Sequence, residues 1–138
     1  MKKMPLSVLN VLANVICGDT GPGKYRTGTQ IGDFLHNINP NIPPHDGSTR
    51  RIWTLNQLRT CNEDSVGSDI ESIILALTDP REYFPDIQQA ENVRVELNRL
   101  LALDGLKIVM RGVKPELTEV LPYICDQTIT KQLGGVRS

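Results

Sequence analysis

Residues 86–111 read DIQQAENVRVELNRLLALDGLKIVMR, and the change of period inside this stretch decides the fold. From Asp86 to Leu103 the apolar positions Ile87, Ala90, Val93, Leu97, Leu100 and Leu101 recur every three or four residues, with Glu91, Arg94, Glu96 and Arg99 on the opposite side. That spacing gives a helix one buried and one solvated face. Asp104-Gly105 stops it, because glycine tolerates the left-handed conformation that closes a helix. Directly afterwards Leu106-Lys107-Ile108-Val109-Met110-Arg111 reads as a strand, a turn is expected near Gly112 to Pro115, and Leu117-Thr118-Glu119-Val120 reads as the partner strand. A long helix feeding one hairpin predicts a mainly α chain closed by a small C-terminal β-hairpin.

Working back towards the N-terminus, the same logic finds four more helices. Leu6 to Cys17 buries Val8, Leu9, Leu12, Val15 and Ile16 and ends at Gly18. Gly18 to Arg26 is too rich in turn residues to be anything but a loop. Thr27-Gly28-Thr29-Gln30 has the form of a capping box, in which hydroxyl and amide side chains satisfy each other's backbone donors, and Ile31, Phe34, Leu35 and Ile38 follow at helical spacing. Asn39 to Gly47, with Pro40, Pro43 and Pro44, is a second loop. Thr54 to Gln57 offers another capping box for a short third helix with Leu55, Leu58 and Cys61 inside and Ile52 and Trp53 stapled ahead of it. Ser68-Asp69-Ile70-Glu71 starts a fourth, whose stripe Ile70, Ile73, Ile74, Leu77 stops before Asp79-Pro80. The expectation is a compact bundle of five helices plus the hairpin in one domain over residues 1–122, with a winged-helix-like arrangement as the alternative. Residues 123–138 carry only Ile124, Ile129 and Leu133 as a weak helical signal and read as a tail or the start of a linker, as if the chain were cut from something longer.

Composition restricts function more than it assigns it. The 138 residues are 39% hydrophobic and 22% charged, values of a globular chain and not of a disordered tail or a membrane protein. Fifteen basic against 16 acidic residues give a net charge of −1, so no global field attracts phosphate backbones and a nucleic-acid partner would need a local patch. The start Met1-Lys2-Lys3-Met4-Pro5 is basic, but the apolar run behind it is broken by Ser7, Asn10 and Asn14, unlike a signal peptide or a membrane span. Cys17, Cys61 and Cys125 are odd in number and widely spaced, which predicts reduced cytoplasmic thiols, at least two of them buried.

The motifs are fragments of sites. Gly18 to Lys24 fits the start of a phosphate-binding loop, yet Tyr25 stands where a Mg²⁺-binding hydroxyl is needed and the loop follows a helix instead of a strand. The weaker functional reading is an anion cradle from the loop amides, Lys24, Arg26 and the start of the second helix. His36 and His45 are the only histidines, too few for a metal site or a triad. Asp79, Arg81, Glu82 and Asp86 read as a mixed-charge loop without a catalytic pairing. Arg50, Arg51, Trp53 and Arg59 form the most basic and aromatic cluster, able either to contact phosphate and a base or to anchor the core with the arginines lying over it. No catalytic residue, metal or cofactor is expected.

Several pieces together resemble the N-terminal domains of abortive-infection proteins of the AbiJ type. They are Gly18-Asp19, Pro22, Tyr25-Arg26-Thr27-Gly28, Phe34, Arg51-Ile52-Trp53, Asn62 and Leu103-Asp104-Gly105-Leu106. The resemblance covers residues 5 to 112 and departs from the family in the prolines at 40 to 44 and in Leu106, where an aromatic is common. It implies a bacterial anti-phage context and a sensing or adaptor module beside a separate effector, and its motifs fall on Tyr25, Arg26, Thr27, Gly28, Arg51 and Trp53; with Lys24 of the loop and Arg50 of the basic cluster these form the expected binding surface. The competing expectations are a nucleic-acid-binding domain with Lys107, Arg111 and Lys114 on a wing, and a nucleotide sensor using the glycine-rich loop.

Overall fold

In the computed structural model, which describes residues 3–64 and 68–120, five helices precede one antiparallel hairpin. They are α1 (Leu6–Cys17), α2 (Gly28–Ile38), α3 (Arg50–Asp64), α4 (Ser68–Thr78) and α5 (Ile87–Leu101), followed by β1 (Leu106–Arg111) and β2 (Lys114–Glu119). Short 3-10 turns at Pro80–Tyr83 and Ala102–Asp104 bracket α5. Cys125 and the weak helical signal beyond Pro122 lie outside the described residues.

α1 and α3 run antiparallel, and each end of the pair is tied. At one end the Asn62 side chain grips the backbone of Met4, accepting from its N–H at 2.9 Å and donating to its carbonyl at 2.9 Å. At the other, Arg50 at the start of α3 reaches the last carbonyl of α1. Between them Leu12, Ile16, Leu58, Ile73, Ile74, Leu77 and Leu97 are fully buried and form one continuous core with α4 and α5. The apolar stripes read from the sequence therefore converge on one interior, the main source of stability in a chain of this size. Cys17 and Cys61 are both inside it, as small apolar side chains commonly are.

Two local expectations change. The third helix is long, not short, and Thr54 lies within it: the hydroxyl donates back to the Arg50 carbonyl at 2.7 Å, an in-helix bond, instead of capping a terminus. The start is set earlier, where Asp46 accepts from the Ser48 N–H at 2.9 Å to make a turn and the Trp53 N–H already bonds to the Thr49 carbonyl. Ile87, expected on the buried side of α5, is 58% exposed, because the first turn of that helix overhangs an open concavity beside Pro80 and Met110.

The hairpin turn is tighter than the sequence suggests. Arg111 pairs with Lys114 across Gly112-Val113, and Pro115 sits inside β2 opposite Met110. Because the Val120 N–H bonds to the Gly105 carbonyl, the alternation of an antiparallel ladder points the backbone nitrogen of the buried Pro115 away from β1, where proline's missing N–H breaks no ladder bond. The other edge is sealed by a side chain. Asn98 of α5 accepts from the Ile108 N–H at 2.7 Å and donates to the Ile108 carbonyl at 3.0 Å, so α5 acts as a third strand at one residue.

Replacing Asn98 with leucine keeps the volume but leaves both Ile108 groups unmet. The expected cost is about 1–3 kcal/mol, measured by urea unfolding, with amide exchange at Ile108 accelerating more than that in α1.

Candidate functional site

The predicted residues converge on the C-terminal end of α1. A helix ends with carbonyls that have no partner inside it and with a partial negative charge. Gly18 turns the chain away in the left-handed conformation (φ 70°), its N–H closing on Asn14. A β-carbon there would come within 2.0 Å of the Lys24 carbonyl, so only glycine lets the loop fold back across the helix end. The fold-back delivers one guanidinium to these carbonyls, and the start of α3 brings a second.

Arg26 is the first, and it is 2% exposed. Its Nη1 donates to the Ile16 carbonyl at 3.1 Å, its Nη2 to Glu82 Oε2 at 2.7 Å, and its guanidinium lies 4.6 Å from the centre of the Phe34 ring. A buried cation needs a charge partner and filled donors, and here an acid from the turn between α4 and α5 supplies the charge. Lys24 converges on the same acid, its Nζ 2.7 Å from the Glu82 backbone carbonyl and 3.3 Å from Oε2.

Arg50 is the second guanidinium. Its Nη2 donates to the carbonyls of Cys17 and Arg26, both at 2.7 Å, its Nε to Arg26 at 3.0 Å, and its Nη1 to Asp19 at 3.0 Å. The Tyr25 ring stacks on it at 4.4 Å yet stays 58% exposed. Arg51 bonds to the side chains of Asn14 and Asn10 along α1.

Thr27 and Gly28 have local tasks. Thr27 caps α2, accepting from the Gln30 N–H at 3.2 Å while Gln30 accepts from the Thr27 N–H at 2.9 Å, which is the expected capping box. Gly28 leaves room for the imidazole of His45, whose Nδ1 would lie 2.7 Å from a β-carbon at position 28. His45 meets the Trp53 ring edge-on with centroids 4.9 Å apart. Trp53 is 5% exposed, so its ring faces the core and not a surface on which a base could stack.

Of the eight predicted residues, Lys24, Tyr25 and Arg26 line one concavity of about 250 Å³, facing Gln30, Asp33, Phe34 and Asn37 of α2 and closed by Glu82. Thr27, Gly28 and Trp53 lie behind it as structure. Glu82 is the residue that the sequence reading passed over. It stands 56 positions from Arg26, in a run of mixed charge with no sign of where its side chain goes. The hairpin carries exposed Lys107 and Lys114, but Arg111 is paired with Glu116, and Glu119 adds a second acid.

No family model, curated protein or solved structure matches the chain. The AbiJ-type resemblance therefore stands on the residues quoted for it. Among the described residues no group of three or more His, Cys, Asp and Glu is placed to hold a metal ion, and no helix is long and apolar enough to cross a membrane.

Behind the concavity, Tyr83 is buried and donates its hydroxyl to the Leu77 carbonyl at 2.7 Å. Burial pushes its pKa up to about 12, opposed by the nearby Arg26. The folded state thus holds the proton more tightly than the unfolded chain, whose tyrosine ionises near pH 10. Stability is whole below about pH 10 and falls between about pH 10 and 12, by up to about 3 kcal/mol from this group. Urea midpoints across that range should fall less steeply in Tyr83→Phe than in the wild type. At the turn, Gly18→Ala should lose at least the roughly 1–2 kcal/mol of a left-handed alanine, with a further loss from the clash with Lys24, seen as a lowered Tm.

Proposed function

We propose that the chain is a non-enzymatic interaction module, an adaptor or sensor serving a partner protein or effector domain, in the bacterial anti-phage setting that the AbiJ-type resemblance implies. One observation carries this reading. Lys24, Arg26, Arg50 and Arg51, the charged members of the predicted surface, are engaged by groups of the chain itself: the carbonyls of Ile16, Cys17 and Arg26, the side chains of Asn10 and Asn14, and the acids Asp19 and Glu82.

Catalysis needs a base, nucleophile or metal within reach of a substrate atom. Here the cations order the loop and α3 against the end of α1. Tyr25, stacked on Arg50, is 58% exposed, and Ile52 and Phe84 are 59% and 79% exposed. Rigid, exposed aromatics are the residues that anchor protein interfaces.

The test is an activity screen. Single-stranded and duplex DNA and RNA, ATP and GTP are expected to survive incubation with the chain and Mg²⁺, and Arg26→Ala and the surface variant Lys24→Ala should behave as the wild type does. Cleavage that either substitution abolishes would overturn the reading.

A further inference from the structure

Glu82 Oε2 takes two cations, Arg26 at 2.7 Å and Lys24 at 3.3 Å, at the mouth of a concavity that is otherwise open. We infer that Glu82 is an internal occupant of a carboxylate-binding cradle, and that an acidic side chain of a partner protein exchanges with it. The inference rests on the interaction-module reading and names the chemistry of the partner.

The cradle needs the backbone of its occupant but not the carboxylate, since Lys24 is held by the Glu82 carbonyl at 2.7 Å. Arg26 is held by the Ile16 carbonyl of α1 and by the Phe34 ring of α2, and its backbone N–H bonds to the Cys17 carbonyl at 3.2 Å. None of these contacts involves Glu82. If the acid leaves, a guanidinium and an ammonium remain aimed at one point, and such preorganised donors are what make charge-assisted bonds strong.

The occupant, by contrast, sits on a four-residue 3-10 turn, and its side chain is 27% exposed. Tyr83, buried and bonded to the Leu77 carbonyl, holds the turn in place, so the Glu82 carboxylate leaves by rotation of its own part-exposed side chain. An incoming carboxylate makes the same two side-chain contacts, with Arg26 and Lys24.

The far wall selects the ligand. Gln30, Asp33, Phe34 and Asn37 lie at positions i, i+3, i+4 and i+7 of α2 and so share one face. Asp33 repels a dianion, which disfavours phosphate. The two amides offer donors and acceptors to a peptide backbone, and the rings of Phe34 and Tyr25 suit the methylenes of a glutamate.

The probe is an acetylated, amidated Gly-Gly-Glu-Gly-Gly peptide, titrated into the full ¹⁵N-labelled chain and followed at the amides of Lys24 to Thr27. Because a competing state lowers apparent affinity by its population, Glu82→Gln should bind the peptide about tenfold or more tighter than the wild type. The same peptide with glutamine at the centre should bind neither protein, and Lys24→Gln added to Glu82→Gln should weaken binding about threefold or more. Should Glu82→Gln fail to fold, Glu82→Asp, which keeps the charge but shortens the reach, should also gain affinity.

No shifts in a folded Glu82 variant, or equal affinity with and without Glu82, would overturn the cradle. Inorganic phosphate binding more tightly than the peptide would overturn the carboxylate assignment. A failed titration leaves the interaction module in place with its surface elsewhere, whereas substrate cleavage in the activity screen removes the module whatever the peptide does.

Discussion

The end of α1 is where the rest of the structure is decided. A helix of 12 residues that stops inside a domain leaves a cluster of carbonyls and a partial negative charge that must be met. Here they are met by cations from two different parts of the chain, Arg26 after the loop and Arg50 at the start of α3. Each cation then fixes what carries it. Arg26 brings α2, with Phe34 against its face, and draws in Glu82 from the α4–α5 connection, while Arg50 sets the antiparallel course of α3. One electrostatic requirement thus links α1, α2 and α3 directly, and α4 and α5 follow through the turn that holds Glu82.

This requirement also explains the odd charge pattern of α3. Two arginines at a helix N-terminus oppose its own dipole. They are tolerated because their heads reach past α3 to the end of α1 and to Asn10 and Asn14 along it. Neighbouring antiparallel helices place one positive and one negative end side by side, so the arginines that harm one end serve the adjacent one.

How much was legible follows the range of each interaction. The box at Thr27 and Gln30 was read correctly because every atom in it lies within four residues. The same pattern at Thr54 and Gln57 misled, because the helix has already started after the Asp46–Ser48 turn and the Thr54 hydroxyl bonds back to the Arg50 carbonyl. Core stripes were legible where a helix is covered along its length, and failed at Ile87, which overhangs an open concavity. In the site, the cations were visible as types, but not their partners. Periodicity does not say that Glu82 returns to Arg26, nor that His45 crosses a glycine to reach Trp53.

The hairpin bears on self-association. A two-stranded sheet has two open edges, each a template on which another chain could add a strand. Here Asn98 occupies one edge at Ile108, and on the other Pro115 withholds an amide between Lys114 and Glu116, with Glu119 further along. Neither edge presents the uncharged, uninterrupted row of amides that a growing sheet requires. Among the described residues, the small sheet is thereby kept from templating the addition of further strands.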